Sequence, residues 1–521
     1  MLEAFGFDPV RLEKRASLLS SGTNPYPYSF PAPTPVAAVI AAFVALEDEG
    51  ESLATTVRAA GRIWAKRLMG RACFIDLRDA TGKIQLYLTE LEVGSESWQC
   101  LALLEEGDLI GVEGITFRTR TGELSVRVQH LVVLNKAVVP IPVGKEVGER
   151  VLYRLSDPEA KYRERYLHWL LDARDRGRIQ TRARIISAIR RWMESAGFLE
   201  VATPTIEPIY GGAEARPFTT CIWALGGQTA YLRISPELYL KRYLVAGFEK
   251  VFTICQNFRN EGIDRSHNPE FTMMEWYEAY TDYEVQMVRF ETLVEQVCRE
   301  VTGSTRVTYQ GVDLDFSTPW RRISMLDAIR EETGIAAGAL SVDELREELL
   351  RRRVDCPEPM TWGLAVTTLF EATCEARLIQ PTFVLDHPID TSPLTKVKRG
   401  DPRLVERFEP YVAGLELGNA YSELTDPVDQ LERLLAQREI GRAEEDFEAH
   451  PVDVDFIRAM GCGMPPTGGV GLGVDRLIML LTDAPTIRDI VPFPMVKSRI
   501  YHPKAAAEAD GQPSERAGHL R

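Results

Sequence analysis

Glutamates recur inside a stretch that otherwise alternates like a β-strand, and this pattern limits the fold more than any bulk property of the chain. From Phe258 to Tyr280 the sequence reads FRNEGIDRSHNPEFTMMEWYEAY. Taken as a strand, its side chains alternate in direction, so Phe271, Met273, Glu275 and Tyr277 share one face. Arg259 and Glu261 share a face on the strand before the Gly262 turn. Taken as a helix, Glu275 and Tyr277 would diverge and the cluster would dissolve. An unpaired buried charge is costly, so the segment is either an ion-paired hairpin or a site for a charged ligand. An aromatic, a carboxylate and a phenol beside an arginine could grip a base, an ammonium and a phosphate or carboxylate together. By spacing alone, the ion-paired hairpin is the simpler reading.

Two further stretches bear on that choice. In FEPYVAGLELGNAYSEL, Asn419, Tyr421 and Glu423 alternate onto one strand face, with Glu409 and Glu416 upstream. Carboxylates spaced along one face repel, and cations relieve them: Mg²⁺ carried by a polyphosphate, a substrate ammonium, or arginines such as Arg259. In GMPPTGGVGLGVDRLIMLL, from Gly463 to Leu481, the glycines allow close backbone approach to a ligand. Arg476 there falls in the first turn of an expected helix. The stretch is neither a P-loop nor a Rossmann fingerprint.

Elsewhere the chain punctuates itself clearly. Its 521 residues are too many for one ordinary core and fit two or three domains. A Pro-rich linker from Asn24 to Pro35 leads into Val36 to Leu46 (VAAVIAAFVAL), expected to be a short helix with Thr34 as N-cap and Pro35 first inside it. That run is about half the length of a membrane span, so no anchor is expected. The opening MLEAFGFDPVRLEKRASLL has acids where a secretory leader has bases, and no export is expected. Eight cysteines stand singly, as reduced thiols of a cytoplasmic protein would, and no zinc cluster is expected.

Residues 55 to about 138 hold roughly five strand-like runs, which suit either an OB-type barrel or a β-sandwich. A net charge of −15 argues against coating nucleic acid non-specifically. Locally, however, Arg58, Arg62, Lys66, Arg67, Arg71, Arg78 and Lys83 face only Asp76 and Asp79. With Phe74 and Gln85, this tilts the region toward unpaired bases. From about Asp157 to Ala196 the pattern turns helical, with Ile185, Ile186, Ile189, Trp192 and Met193 at helical spacing. FLEVATPTI, AYLRI, VFTICQNFR and EFTMMEWY then alternate as antiparallel strands would. Met325 to Ile379 is helical again, and the tail after His502 is expected to be disordered.

The three charged stretches, in this order, resemble the motifs of class II aminoacyl-tRNA synthetases, and the chain as a whole resembles the bacterial lysyl-tRNA synthetases of subclass IIb. GFLEVATPTI with Pro204 resembles motif 1, FRNEGIDRSHNPEFTMMEWY motif 2 and GLGVDRLIML motif 3. GGAEARPF, LRISPELYLKR, LIQPTFVLDHP with SPLTK, and GMPPTGG resemble segments specific to the lysine enzymes. The likeness runs from about Asn24 through Ile490. It implies an α+β fold: an N-terminal OB-fold β-barrel, then a class II catalytic domain with an antiparallel sheet flanked by helices. The implied divisions are an N-terminal extension and linker at 1–54, an anticodon-binding OB-fold at 55–140, a catalytic domain at 141–502 with a helical insertion at about 325–380, and a tail at 503–521.

Residue by residue, the resemblance implies that Arg259 bridges the lysine carboxylate and the ATP α-phosphate. Glu261 and His267 hold the adenine and phosphates, Phe271 stacks under the adenine, and Arg476 clamps its other side and the γ-phosphate. Arg259 and Arg476 would be catalytic. Glu409 and Glu416 would hold Mg²⁺, up to three ions with ATP. Gly212 and Glu237 take the α-amino group and Asn419 the carboxylate, while Glu275, Tyr277 and Glu423 bind the ε-ammonium beside Tyr421. Phe74, Gln85 and Glu123 match residues that read the anticodon. Implied partners are L-lysine, ATP, tRNA(Lys) and a second copy of the chain, with no membrane. Ala202, Gln256 and Ser266 depart from the family pattern, and Arg265 is displaced by one position from a usual arginine. The rivals are a paralogue delivering lysine to protein or lipid, and a non-catalytic RNA-binding protein on this scaffold.

Overall fold

The structure, a computed structural model, describes residues 2–49, 55–143, 145–147, 150–152, 157–356, 360–443 and 451–497. The tail expected to be disordered from 503 lies outside these residues. Two compact units divide between Leu171 and Asp172; Lys497 groups with the first.

In the first unit, β1 (Thr56–Met69), β2 (Ala72–Arg78), β3 (Lys83–Thr89), β4 (Leu109–Arg118) and β5 (Leu124–Asn135) close into a barrel of order β1-β2-β3-β5-β4. That closure decides for the OB-fold over the sandwich. Cys73, Ile75 and Leu77 of β2 and Ile84, Leu86 and Leu88 of β3 fill the barrel core. Strand alternation therefore turns Phe74 and Gln85 outward.

Two local expectations shift. The helix begins at Val36, with Pro35 rather than Thr34 at the cap. Asp79 Oδ2, far away in sequence, accepts from Val36 N at 2.8 Å and supplies the acceptor that Thr34 was expected to provide. The basic run on β1 is also less free than its composition suggests. Arg58 pairs with Glu113, Arg62 donates to the Gly107 carbonyl, and Lys66 donates to the carbonyls of Leu101 and Leu104 at the end of helix Ser95–Leu103. These charges hold the barrel together instead of facing a ligand.

The second unit is built on a nine-stranded sheet. Its order is Arg321–Ser324, Thr382–Leu385, Arg407–Val412, Gly418–Ser422, Thr467–Leu472, Glu270–Ala279, Lys250–Phe258, Leu199–Glu200, with Leu415–Glu416 beside Arg407–Val412. Pairing is antiparallel except at the two edges, where Arg321–Ser324 and Leu199–Glu200 run parallel to their neighbours. Met274, Trp276, Ala420, Val470 and Leu472 point to the back, where they share a core with Ile185 and Ile189 of helix Ala173–Ser195 and Phe290 and Val294 of helix Tyr283–Thr302. The expected strand FLEVATPTI keeps only Leu199–Glu200 and Ile206–Glu207. Pro204 between them lacks an N–H, which favours breaking the ladder. Helices Met325–Thr333, Val342–Arg351 and Trp362–Thr373 bury Ile329, Leu345, Leu349, Val366 and Phe370 in a core of their own.

Candidate active site

Two glycines on the middle strand make the floor of the site. Gly471 lies between Glu275 and Asn419, and Gly469 between Tyr277 and Tyr421, on strands paired to either side. A Cβ on Gly469 would lie 1.9 Å from Glu423 Oε1 and 2.5 Å from the Tyr277 ring, so a side chain there would occupy the space these groups face. A cavity of about 390 Å³ opens above this floor. It is lined by Arg259, Glu261, His267, Phe271, Glu416 and Arg476 toward one end, and by Gly212, Glu237, Glu275, Tyr277, Asn419 and Tyr421 toward the other. Glu409 and Glu423, also expected in the site, are not among the residues that line it. Phe74, Gln85 and Glu123 belong to the barrel unit and are not part of this cavity.

The amino-acid end is strongly acidic. Glu275 is buried and accepts from Ser235 Oγ at 2.8 Å and Tyr277 OH at 3.2 Å. Burial and the charge of Glu237 push its pKa up to about 8, against these two hydrogen bonds. Glu423 is likewise raised to about 8 by burial, although the Lys241 ammonium pulls it down. Among the described residues Glu423 Oε1 has no hydrogen-bond partner. Buried acceptors of this kind call for a cationic donor.

Asn419 is oriented by a residue that local sequence did not reveal. Arg407 Nε donates to Asn419 Oδ1 at 3.0 Å, which leaves the amide NH₂ as a donor in the cavity that Arg259 also lines. The same guanidinium donates to the Thr391 carbonyl, Ser392 Oγ and Glu409 Oε1, while Tyr411 OH takes Glu409 Oε2 at 2.8 Å.

The other end is basic and aromatic. The Arg259 guanidinium lies 5.2 Å over the Phe271 ring, and its buried Nε has no hydrogen-bond partner among the described residues. Burial lowers its pKa, while Glu261, Glu416 and Glu275 work the other way. Asp264 Oδ2 holds His267 Nδ1 at 2.7 Å, and Arg476 Nη2 stands 3.3 Å from His267 Nε2. Protonation on Nδ1 makes Nε2 the acceptor. Burial works to raise Asp264, but the contacts from His267 and Ser266 hold it down at about 2. Arg476 Nη1 donates to the Glu416 carbonyl at 2.6 Å. Its helix, Val474–Leu481, is anchored by Asp475, which pairs with Arg182 and accepts from Thr272 N at 2.8 Å. Arg265 donates to the Pro485 carbonyl, at 3.2 Å from Nη2.

On the barrel, Phe74 lies opposite Tyr87, with ring centres 5.3 Å apart, and Tyr87 contacts Phe117 at 5.9 Å. Ser125 Oγ donates to Gln85 Oε1 at 3.0 Å, leaving the Gln85 NH₂ as a donor, and Glu123 is exposed just before β5. Tyr87, Phe117 and Ser125 were not singled out from sequence, although outward alternation on β3 would have found Tyr87.

Residues 157–497 match the model of class II tRNA synthetases (D, K and N), and residues 57–134 match the OB-fold nucleic acid binding domain. The chain is 44% identical over 511 residues to a lysine–tRNA ligase of Methanoculleus marisnigri, covering 97% of this chain and 98% of that protein. It is 44% identical to a lysine–tRNA ligase of Carboxydothermus hydrogenoformans, over 94% of this chain and 98% of the relative. A lysine–tRNA ligase of Moorella thermoacetica is 45% identical, over 94% of this chain and 97% of its own length.

Proposed function

This chain belongs to the lysine–tRNA ligases among the class II tRNA synthetases, and we propose that it activates L-lysine with ATP and transfers it to the 3′ end of tRNA(Lys). The observation that carries the reading is the polarity of one cavity. Glu275 and Tyr277 line one end, with Glu423 Oε1 set against Gly469 of the floor, and Arg259, His267 and Arg476 line the other. An amino acid with a neutral side chain would leave these buried acceptors without a cationic partner, and such mismatches are rejected by about 10⁴-fold or more in sites built for a polar partner.

In this reading the ε-ammonium meets Glu275, Tyr277 and Glu423, and the α-ammonium meets Glu237 beside Gly212. The carboxylate is presented to ATP by Arg259 and the Asn419 amide. Phe271 stacks on the adenine with Glu261 at its edge, while His267 and Arg476 take the phosphates. The carboxylate attacks the α-phosphorus in line, pyrophosphate leaves, and the terminal ribose hydroxyl of tRNA then attacks the adenylate. Arg259 and Arg476 stabilise the developing phosphate charge, so no protein nucleophile is needed.

Glu416 and Glu409 would hold Mg²⁺, up to three ions with ATP. Glu416 lines the cavity and offers the oxygen donor a hard cation takes, while both oxygens of Glu409 accept from Arg407 and Tyr411 and would have to be shared with the metal. Burial and the charge of Glu409 raise Glu416, and burial with both charges raises Glu371 nearby. Bound there, the metal would neutralise polyphosphate charge.

Activation is assigned to 141–502 with its insertion at about 325–380, and anticodon reading by Phe74, Gln85 and Glu123 to 55–140, after an extension at 1–54. The expected test result is pyrophosphate exchange into ATP that depends on lysine, together with charging of tRNA(Lys). Exchange driven by aspartate or asparagine instead would overturn the assignment. Phe74→Ala is expected to cut charging by about tenfold or more, since base stacking contributes about 1–3 kcal/mol, and to spare exchange. An equal loss in both assays would mean the barrel is not a separate reader.

A homodimer is also proposed. Leu199–Glu200 forms an open sheet edge, and the same region exposes Leu199, Ile206, Trp223 and Leu225. Sedimentation velocity should give twice the chain mass, and Trp223→Asp should shift it toward monomer. Among the described residues no helix is long and apolar enough to cross a membrane. We assign the enzyme to the cytoplasm, where tRNA is charged.

A further inference from the structure

We propose that Lys241 is a positioning residue of the amino-acid pocket: buried between Glu237 and Glu423, its ammonium fixes both carboxylates and sets the pocket's charge for a substrate with two ammonium groups. The inference rests on the reading of this cavity as a lysine site. Lys241 follows Glu237 by four residues on helix Glu237–Val245, so both side chains project from one helix face. Its side chain is fully buried, with Nζ 2.6 Å from Glu237 Oε1 and 2.5 Å from Glu423 Oε2. The Tyr421 ring lies 5.8 Å from the same nitrogen. One ammonium thus ties this helix to the end of strand Gly418–Ser422.

Oxygen by oxygen, the arrangement leaves one acceptor free. Glu237 gives Oε1 to Lys241 and Oε2 to Tyr421 OH, at 2.8 Å. Glu423 gives Oε2 to Lys241, and its Oε1 lies above Gly469 beside the Tyr277 ring. Holding one oxygen of Glu423 leaves the other against Gly469 of the cavity floor, beside Tyr277.

The charges complete the same picture. Glu237, Glu275 and Glu423 are three buried acids against the single cation of Lys241. The α- and ε-ammonium groups of lysine supply the two charges that are missing, while its carboxylate faces Arg259. Among the described residues the other titratable groups near this cluster are Tyr277, Tyr421 and Arg259, with Glu207 and the Arg242–Asp453 pair also close. Without Lys241 the substrate could not balance the acids, and one carboxylate would hold a proton in place of an ammonium.

Lys241→Met and Lys241→Arg test this by lysine-dependent exchange across about pH 6–9. Lys241→Met is expected to raise the lysine KM roughly tenfold or more, to leave the ATP KM within about twofold, and to move the acid limb of kcat/KM for lysine to higher pH. Lys241→Arg keeps the charge and should keep the acid limb in place. An unchanged lysine KM and limb in Lys241→Met would overturn the inference. So would a limb moved equally by both variants, or loss of ATP binding together with lysine binding in both, which would mark a packing role. Glu423→Gln separates the two levels: if it leaves the lysine KM unchanged, the lysine-site reading falls. If it raises that KM while Lys241→Met does not, only the role of Lys241 falls.

Discussion

Replacing Arg259 with methionine is expected to slow lysine-dependent pyrophosphate exchange by about 10²–10³-fold, the usual cost of removing a preorganised donor to developing charge. Arg259 lies against the Phe271 ring, and its Nε keeps a hydrogen-bonding direction open among the described residues. Burial lowers its pKa and the nearby acids Glu261, Glu416 and Glu275 oppose that shift, while a guanidinium as such stays protonated in proteins. A donor prepared in this way is more useful to the transition state than to either substrate alone. The loss should therefore fall mainly on kcat, with smaller changes in the KM values for ATP and lysine. A variant that retains kcat and raises only the ATP KM would place Arg259 on the ground-state nucleotide rather than on the reacting phosphate. Arg476 has Glu416 and His267 as protein partners, and its replacement should shift the ATP KM more than that of Arg259 does.

The difference between these two arginines also shows what local sequence can carry. Alternation within EFTMMEWYEAY was enough to bring Glu275 and Tyr277 to one face, because side-chain direction along a strand has a period of two. The run TGGVGL was legible as a close backbone approach, and two of its three glycines, Gly469 and Gly471, form the floor between flanking polar residues. Partnerships closed between separate elements left no such trace. Arg407 is separated from Asn419 by a strand turn, Arg182 from Asp475 by most of the catalytic unit, and Asp79 from the helix start at Val36 by the first barrel hairpin. Each is a charged group that satisfies a distant polar atom, and only the folded chain brings the pair together. Lys241 lies between these cases. Its i,i+4 relation to Glu237 was readable, but a helical Glu–Lys pair is ordinarily a solvent-exposed contact of small effect. Its burial against Glu423 gives it a different role. The basic run on β1 erred in the opposite direction, since composition cannot tell a charge facing solvent from one bonded to the barrel's own carbonyls.

Glu275→Gln is expected to raise the lysine KM by about 10²-fold or more, the cost of truncating one partner of a buried charge pair, while the ATP KM stays nearly unchanged. The same carboxylate predicts how binding depends on pH. Burial and Glu237 raise the Glu275 pKa to about 8, so without lysine the carboxyl is expected to hold a proton at neutral pH. Lysine needs the carboxylate, so its binding should weaken as pH falls below about 8 and should release protons when it occurs. The sign for stability is opposite to that of an ordinary salt-bridged acid. Between the ordinary value of 4.5 and about 8, the folded protein keeps a proton that the unfolded chain has lost. Folding stability from this group is therefore full below that window and declines as pH rises through it. Glu423 and Glu207, each also raised to about 8 by burial, add slopes of the same sign. Melting curves should accordingly show a Tm that falls from mildly acidic to mildly alkaline pH without ligand. Saturating lysine should oppose that fall, because it binds the form that has lost the proton. Glu275→Gln should flatten part of the slope and remove most of the lysine effect. If the variant keeps both the slope and the lysine response, Glu275 is not the group that exchanges its proton for the substrate ammonium.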